Sequence, residues 1–142
     1  MKNLILTFLI IILLSNPAFA RLGEDEKTAG FRYGEPVRVE EVKNYDKKIF
    51  YHSSPYDLAI TYKEGRAVII TYQLENKANM SIGRVVSILD NNAKKEGGWE
   101  SVWFFYDVTL SPARIEFKNQ QQNAEAVYDL TENSLTVRYR TD

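Results

Sequence analysis

The chain has no cysteine, a single histidine and almost no net charge, with 18 basic residues against 19 acidic in 142. Each scarcity excludes something. Without cysteine no disulfide can staple a small scaffold, so the domain must be held by its apolar core. A near-neutral balance leaves no broad electrostatic footing for nucleic acid and no polybasic tract for anionic lipid. With one histidine and no cysteine, a zinc site would have to rely on carboxylates. No acidic loop follows EF-hand spacing, and no glycine-rich loop suits a phosphate. No metal and no cofactor is therefore expected. Long apolar runs are missing too. Residues 4–14, LILTFLIIILL, rise about 16 Å as a helix, against a hydrocarbon core of about 30 Å.

That run does have a context. Lys2 precedes it, and Ala18-Phe19-Ala20 sets small residues at −3 and −1 before Arg21. This is the anatomy of a cleaved secretory signal peptide. The expectation is that residues 1–20 are removed, leaving one small domain over 21–142, exported to the periplasm or beyond the cell. A bacterial lipoprotein carries its lipid on a cysteine directly after the leader; Arg21 stands there instead. No stable membrane anchor is expected after cleavage. Asn79-Met80-Ser81 fits the glycosylation pattern, which matters only in a eukaryotic secretory pathway, and is read as chance.

Two helical stretches lie among strands. From 82 to 95, the offsets of Ile82, Val85, Val86, Leu89 and Ala93 describe one apolar stripe. Ser81 is its natural N-cap, Met80 can staple onto Val85, and Gly97-Gly98 stops it. A shorter helix is predicted over 26 to 33, capped by Asp25 and ended at a left-handed Gly34. Gly30 weakens its interior, so it should depend on tertiary contacts. Strand alternation runs through Leu58, Ile60 and Tyr62 and again from Arg66 to Leu74. A three-residue loop, Lys63-Glu64-Gly65, would set Ile60 opposite Val68 and Leu58 opposite Ile70. Ala126, Tyr128 and Leu130 would share a face with Leu135, Val137 and Tyr139, Leu130 pairing with Leu135. Ala113, Ile115 and Phe117 mark a half-buried strand, and 37–42 and 48–51 two shorter ones. The fold class expected is α+β, an antiparallel sheet with two short helices on one face. The order helix, strands, hairpin occurs twice, which suggests a two-fold repeat over 21–74 and 75–142.

Arg21-Leu22-Gly23-Glu24, followed by Arg32-Tyr33-Gly34-Glu35-Pro36, resembles the opening of a group of small bacterial envelope proteins. These are the SmpA/OmlA outer-membrane assembly lipoproteins and the related domains that look like β-lactamase inhibitor protein. The resemblance implies a pair of helices on one face of an antiparallel sheet, sometimes twice in tandem. It covers about sixteen residues and the order of elements. Asp25 departs from the Ser or Thr cap of those families, and the lipid-bearing cysteine is missing. No functional residue is carried over.

Catalytic constellations are sparse. His52 is followed by Ser53, Ser54 and Asp57, but a nucleophilic triad needs side chains converging from separate elements. Neighbours along one strand or turn are expected to point apart, and no catalytic motif surrounds them. Glu40-Glu41 and Glu24-Asp25-Glu26 are expected to be a solvated strand end and a helix start, since carboxylates adjacent in sequence rarely bracket one bond. The chain is read as a non-enzyme. The local excess is aromatic, from Trp99 to Val108. Strict alternation would set Trp99, Trp103 and Phe105 on one face, and Val102, Phe104, Tyr106 and Val108 on the other. The first three are the candidate interaction face, expected to be the less buried. One reading of the run is a central strand buried on both faces. Two short helices, however, cover little more than one side of a sheet, and if no second layer forms an aromatic face is left for a partner. The reading is a protein-interaction module of the cell envelope, its partner another protein or a further copy of the chain. The alternative is a small-molecule or glycan binder using the same aromatics.

Overall fold

The computed structural model describes residues 21–92, 99–105 and 114–140, with the strand at 100–105 described through its backbone. The expected leader, residues 93–98, Tyr106, Val108 and Pro112 lie outside them. Among the described residues two helices, α1 (Glu26–Tyr33) and α2 (Ile82–Asn92), are interspersed with eight strands. These are β1 (Arg38–Glu40), β2 (Lys47–Ser53), β3 (Tyr56–Lys63), β4 (Arg66–Leu74), β5 (Glu100–Phe105), β6 (Arg114–Asn119), β7 (Ala124–Asp129) and β8 (Ser134–Tyr139). The strands form one sheet in the order β1-β2-β3-β4-β8-β7-β6-β5. Every adjacent pair is antiparallel. The fold is α+β. The first expected strand is shorter than 37–42, and the second longer than 48–51.

α1 starts because the Asp25 carboxylate accepts the Thr28 N–H at 2.8 Å, relieving one of the orphan donors of the first turn. It stops at Gly34, whose φ is +84° and ψ −156°, with its N–H bonded to the Gly30 carbonyl at 2.9 Å. The positive φ is as expected, although the ψ is not that of a left-handed helix. Eight residues are marginal as an isolated helix, and tertiary ties hold this one. Gly23 N–H donates to the Ala67 carbonyl at 2.8 Å, and Ala67 N–H donates to the Glu24 carbonyl at 2.9 Å. The Glu24 carboxylate also accepts the Arg21 N–H at 3.1 Å and lies 3.5 Å from Arg32 Nε. Burial raises its pKa above the ordinary carboxylate range, with Arg32 opposing.

α2 starts at Ser81, whose Oγ accepts the Arg84 N–H at 3.3 Å, and Met80 and Val85 are both buried as the staple requires. The stripe differs from expectation. Val85, Ile88, Leu89 and Asn92 are the buried positions, while Ile82 is 46% and Val86 41% exposed. The helix is thus rotated about its axis to bury a polar residue. Asn92 tolerates burial because its Nδ2 donates to Tyr72 Oη and to the Ile88 carbonyl, both at 3.0 Å.

Two cross-strand rows build the sheet side of the core. One runs Ile49, Ile60, Ile70, Val137, Ala126, Phe117; the other runs Tyr51, Leu58, Tyr72, Leu135, Tyr128, Ile115. All twelve are buried, in one cluster with Ala29 and Tyr33 of α1 and Val85, Ile88 and Leu89 of α2. Each large apolar side chain so placed contributes about 1.5–3 kcal/mol of transfer free energy. Tyr128 also has a polar duty. Its hydroxyl accepts the Met80 N–H at 2.7 Å and donates to the Met80 carbonyl at 3.1 Å, satisfying the chain at the entry to α2.

Both hairpin registers differ from expectation by two residues. Ile60 pairs with Ile70 and Leu58 with Tyr72, because the loop is the two-residue Glu64-Gly65 and Lys63 already pairs with Arg66. Glu64 (φ +53°) and Gly65 (φ +72°) both have the positive φ of a type I′ turn. The register then slips between Thr61 and Tyr62, so that Val68 has no direct partner. At the other end Tyr128, not Leu130, pairs with Leu135. The Asp129 carboxylate accepts the Thr131 and Glu132 N–H groups at 2.9 and 3.1 Å, which turns the chain before Leu130 can extend the strand.

Candidate functional site

Along β2, β3, β4, β6, β7 and β8, residues between the buried ones point to the sheet's other side, and most are half-buried. Sheet pairing aligns them. The middle row runs Arg38, Phe50, Ala59, Thr71, Thr136, Val127, Glu116 and ends at the register position of Trp103. Its centre is small or β-branched and uncharged, and the Thr71 and Thr136 hydroxyls lie 3.2 Å apart across the β4–β8 junction. Ile69 and Thr61 continue this apolar and hydroxylic centre in the next row.

Charge gathers around it. Arg138 Nε donates to Glu125 Oε1 at 2.6 Å, and Arg114 Nε donates to Asp129 Oδ2 at 3.1 Å. Burial would raise the Asp129 pKa, but the Glu132 and Thr131 N–H groups and Arg114 outweigh it and hold the carboxyl below its usual range. At the β1 end the Arg38 guanidinium stacks 4.0 Å from the Phe50 ring centre, and Lys48 Nζ lies 5.2 Å from it. A groove lined by Arg38, Phe50, His52, Asp57, Gln73 and Lys77 opens there.

His52 and Asp57, expected to point apart, are a cross-strand pair. The hairpin turns through the cis Ser54–Pro55 bond and brings them face to face. His52 Nδ1 lies 2.8 Å from Asp57 Oδ1, and Nε2 lies 3.5 Å from Glu75 Oε2. Ser54 Oγ donates to Glu75 Oε1 at 3.4 Å rather than to the imidazole. The hydrogen bond to Asp57, helped by the charges of Asp57 and Glu75, raises the imidazole pKa. Both ring nitrogens face carboxylates, which favours the protonated form of the ring. Among the described residues no group of three or more His, Cys, Asp or Glu side chains could hold a metal ion.

The three aromatic candidates are treated differently by the backbone. A register slip between Ser101 and Trp103 interrupts strict alternation. Ser101 pairs with Phe117 of the core row, whereas Trp103 pairs with Glu116 and Phe105 with Arg114, both of the outer rows. Trp99 is half-buried and packs against the core. The comparison of burial between Trp103, Phe105, Phe104 and Tyr106 lies outside the described side chains. Phe50, Thr71, Val127 and Thr136 were not singled out from sequence. Their signal was available as the positions alternating with the core residues of each strand.

No family model and no curated protein matches the chain. A crystal structure of a cysteine-rich secretory protein from Staphylococcus aureus subsp. aureus Mu50 aligns with 88% of this chain and 48% of its own, at 14% identity and a TM-score of 0.45. The chain thus spans about half the length of that protein.

Proposed function

We propose that this chain is an exported, non-catalytic domain of the cell envelope that binds another protein on the outer face of its sheet. One observation carries the reading. Ala59, Thr71, Thr136, Val127 and Ile69 make an uncharged centre, and the Arg138–Glu125, Arg114–Asp129 and His52–Asp57 pairs surround it. A desolvatable middle inside a polar rim is the anatomy of a protein–protein interface. The export half of the proposal rests on Lys2, the short apolar run and Ala18-Phe19-Ala20. In this reading both helices cover the opposite face and leave the outer one free. The molecule is then two copies of a helix-plus-four-strand unit, an interpretation supported by the mirrored order β1-β2-β3-β4-β8-β7-β6-β5.

The test is site-specific photo-crosslinking in envelope extracts of the source organism. A photoreactive residue at Thr71 or Thr136 should capture one protein, saturably and in competition with unlabelled domain. The same residue at Ile82, exposed on α2, should capture nothing specific. With the photoreactive residue at Thr136, Thr71→Arg should abolish the adduct, with circular dichroism showing the variant folded. Equal labelling from both surfaces would remove the face from consideration.

A further inference from the structure

Among the described residues β1 is the outermost strand on its side of the sheet, and all three of its residues are exposed. An edge strand presents a row of backbone N–H and C=O groups to any strand that can reach it. Proteins blunt such edges by brevity, charge and proline, and β1 shows all three, with Pro36 shortly before it. It nevertheless carries apolar groups into solvent. Val39 is 56% exposed and Val37 69%, and Phe31 of the neighbouring α1 is 83% exposed. Only Ile82 and Val86 join them as large exposed hydrophobics among the described residues.

The charges of this edge are complementary to themselves. In a continuous antiparallel sheet, directly opposed residues must project from the same face. For Arg38-Val39-Glu40 against a second copy, that leaves three two-fold registers, centred on each of the three residues. Centring on Arg38 sets it against Arg38 of the second copy, and centring on Glu40 sets two carboxylates together, both destabilising. Centring on Val39 sets valine against valine and places each Arg38 opposite Glu40 of the other copy. We propose that β1 is a self-association edge, through which two copies pair antiparallel about Val39 and join their sheets. A contact built on three paired residues falls below about 1,200 Å², at the weak end of specific interfaces. The dimer therefore dissociates on dilution. This edge adjoins the face proposed above at Arg38, but its pairing involves neither Thr71 nor Thr136, so either reading can fail without the other.

The experiment is sedimentation equilibrium of the protein expressed from its full sequence, over a wide concentration range. A monomer–dimer equilibrium is expected. Arg38→Glu and Glu40→Arg should each weaken it about tenfold or more, because each sets like charges together twice across the two-fold axis. The double variant should restore it, since reversing both partners recreates both cross-copy pairs. It also keeps opposite charges at the two positions that form the 3.1 Å Arg38–Glu40 pair within each chain, and circular dichroism should show all variants folded. Monomer at every concentration overturns the proposal. So does a dimer indifferent to single reversals, or one that the double variant fails to restore.

Discussion

Replacing Gly65 isolates a single physical term. Its φ of +72° lies in the left-handed region, and a Cβ built there meets no heavy atom within 4 Å. The added Cβ therefore meets open space beyond its chain neighbours, and the cost that remains at the backbone is torsional. The backbone N–H that Gly65 donates to Asp46 Oδ2 at 2.8 Å is retained by any replacement except proline. An L-residue held left-handed costs about 1–2 kcal/mol, with β-branched side chains at the upper end and asparagine well below it. We expect Gly65→Val to cost about 2 kcal/mol and Gly65→Asn about half that or less. For a domain of this size, about 2 kcal/mol lowers the thermal midpoint by roughly 8 °C. Thermal unfolding followed by far-UV circular dichroism, with urea unfolding as a second measure, resolves the difference. The urea m value should be unchanged, since neither variant alters the surface exposed on unfolding. Equal midpoints for Val and Asn would refute the reasoning, because they would mean Gly65 is not left-handed and the turn is not type I′.

Ile88→Ala should cost about 2–5 kcal/mol and Val86→Ala well under 1 kcal/mol, by urea unfolding, because α2 buries the former and exposes the latter. Tyr128→Phe should cost about 2 kcal/mol in the same assay, since it strands the buried N–H and carbonyl of Met80. His52, as the sole histidine, can be titrated cleanly by NMR. Its pKa should lie above the ordinary 6.5 and fall in Asp57→Asn. Because the folded value is raised, the stability it adds is present below the ordinary pKa and lost as pH rises through the folded one. A value unmoved by Asp57→Asn would disconnect the two side chains.

Faces were more legible in the sequence than registers. Alternation has period two, so sliding a strand by two residues keeps every side chain on its own face and leaves no trace in the pattern. Alternation therefore places Leu58 and Ile60 on the core side without fixing their partners. The deciding information was local geometry: a two-residue turn at Glu64-Gly65 and a carboxylate at Asp129 that bends the chain early. The stripe of α2 is ambiguous in the sequence for another reason. Ile82 and Val86 suit a helical face as well as Ile88 does, and Asn92 looks solvent-bound until Tyr72 supplies its partner. The candidate site was hidden most deeply, because its middle row exists only once β4 and β8 pair.

That pairing also dictates an order of events. Thr71 and Thr136 are 65 residues apart in the chain, whereas every other strand pair joins consecutive strands across a short connection or, between β5 and β6, a modest one. Closing a long loop costs entropy before its contacts repay it, and such non-local contacts slow folding. The two four-strand ribbons are therefore expected to form before their junction. Until the junction closes, β4 and β8 are bare edges of two half-molecules, each carrying the pairing pattern that the other seeks. During synthesis, when β4 has emerged and β8 has not, the nascent chain displays a sticky strand to its neighbours on the same message, and crowding at that moment is the hazard this topology carries.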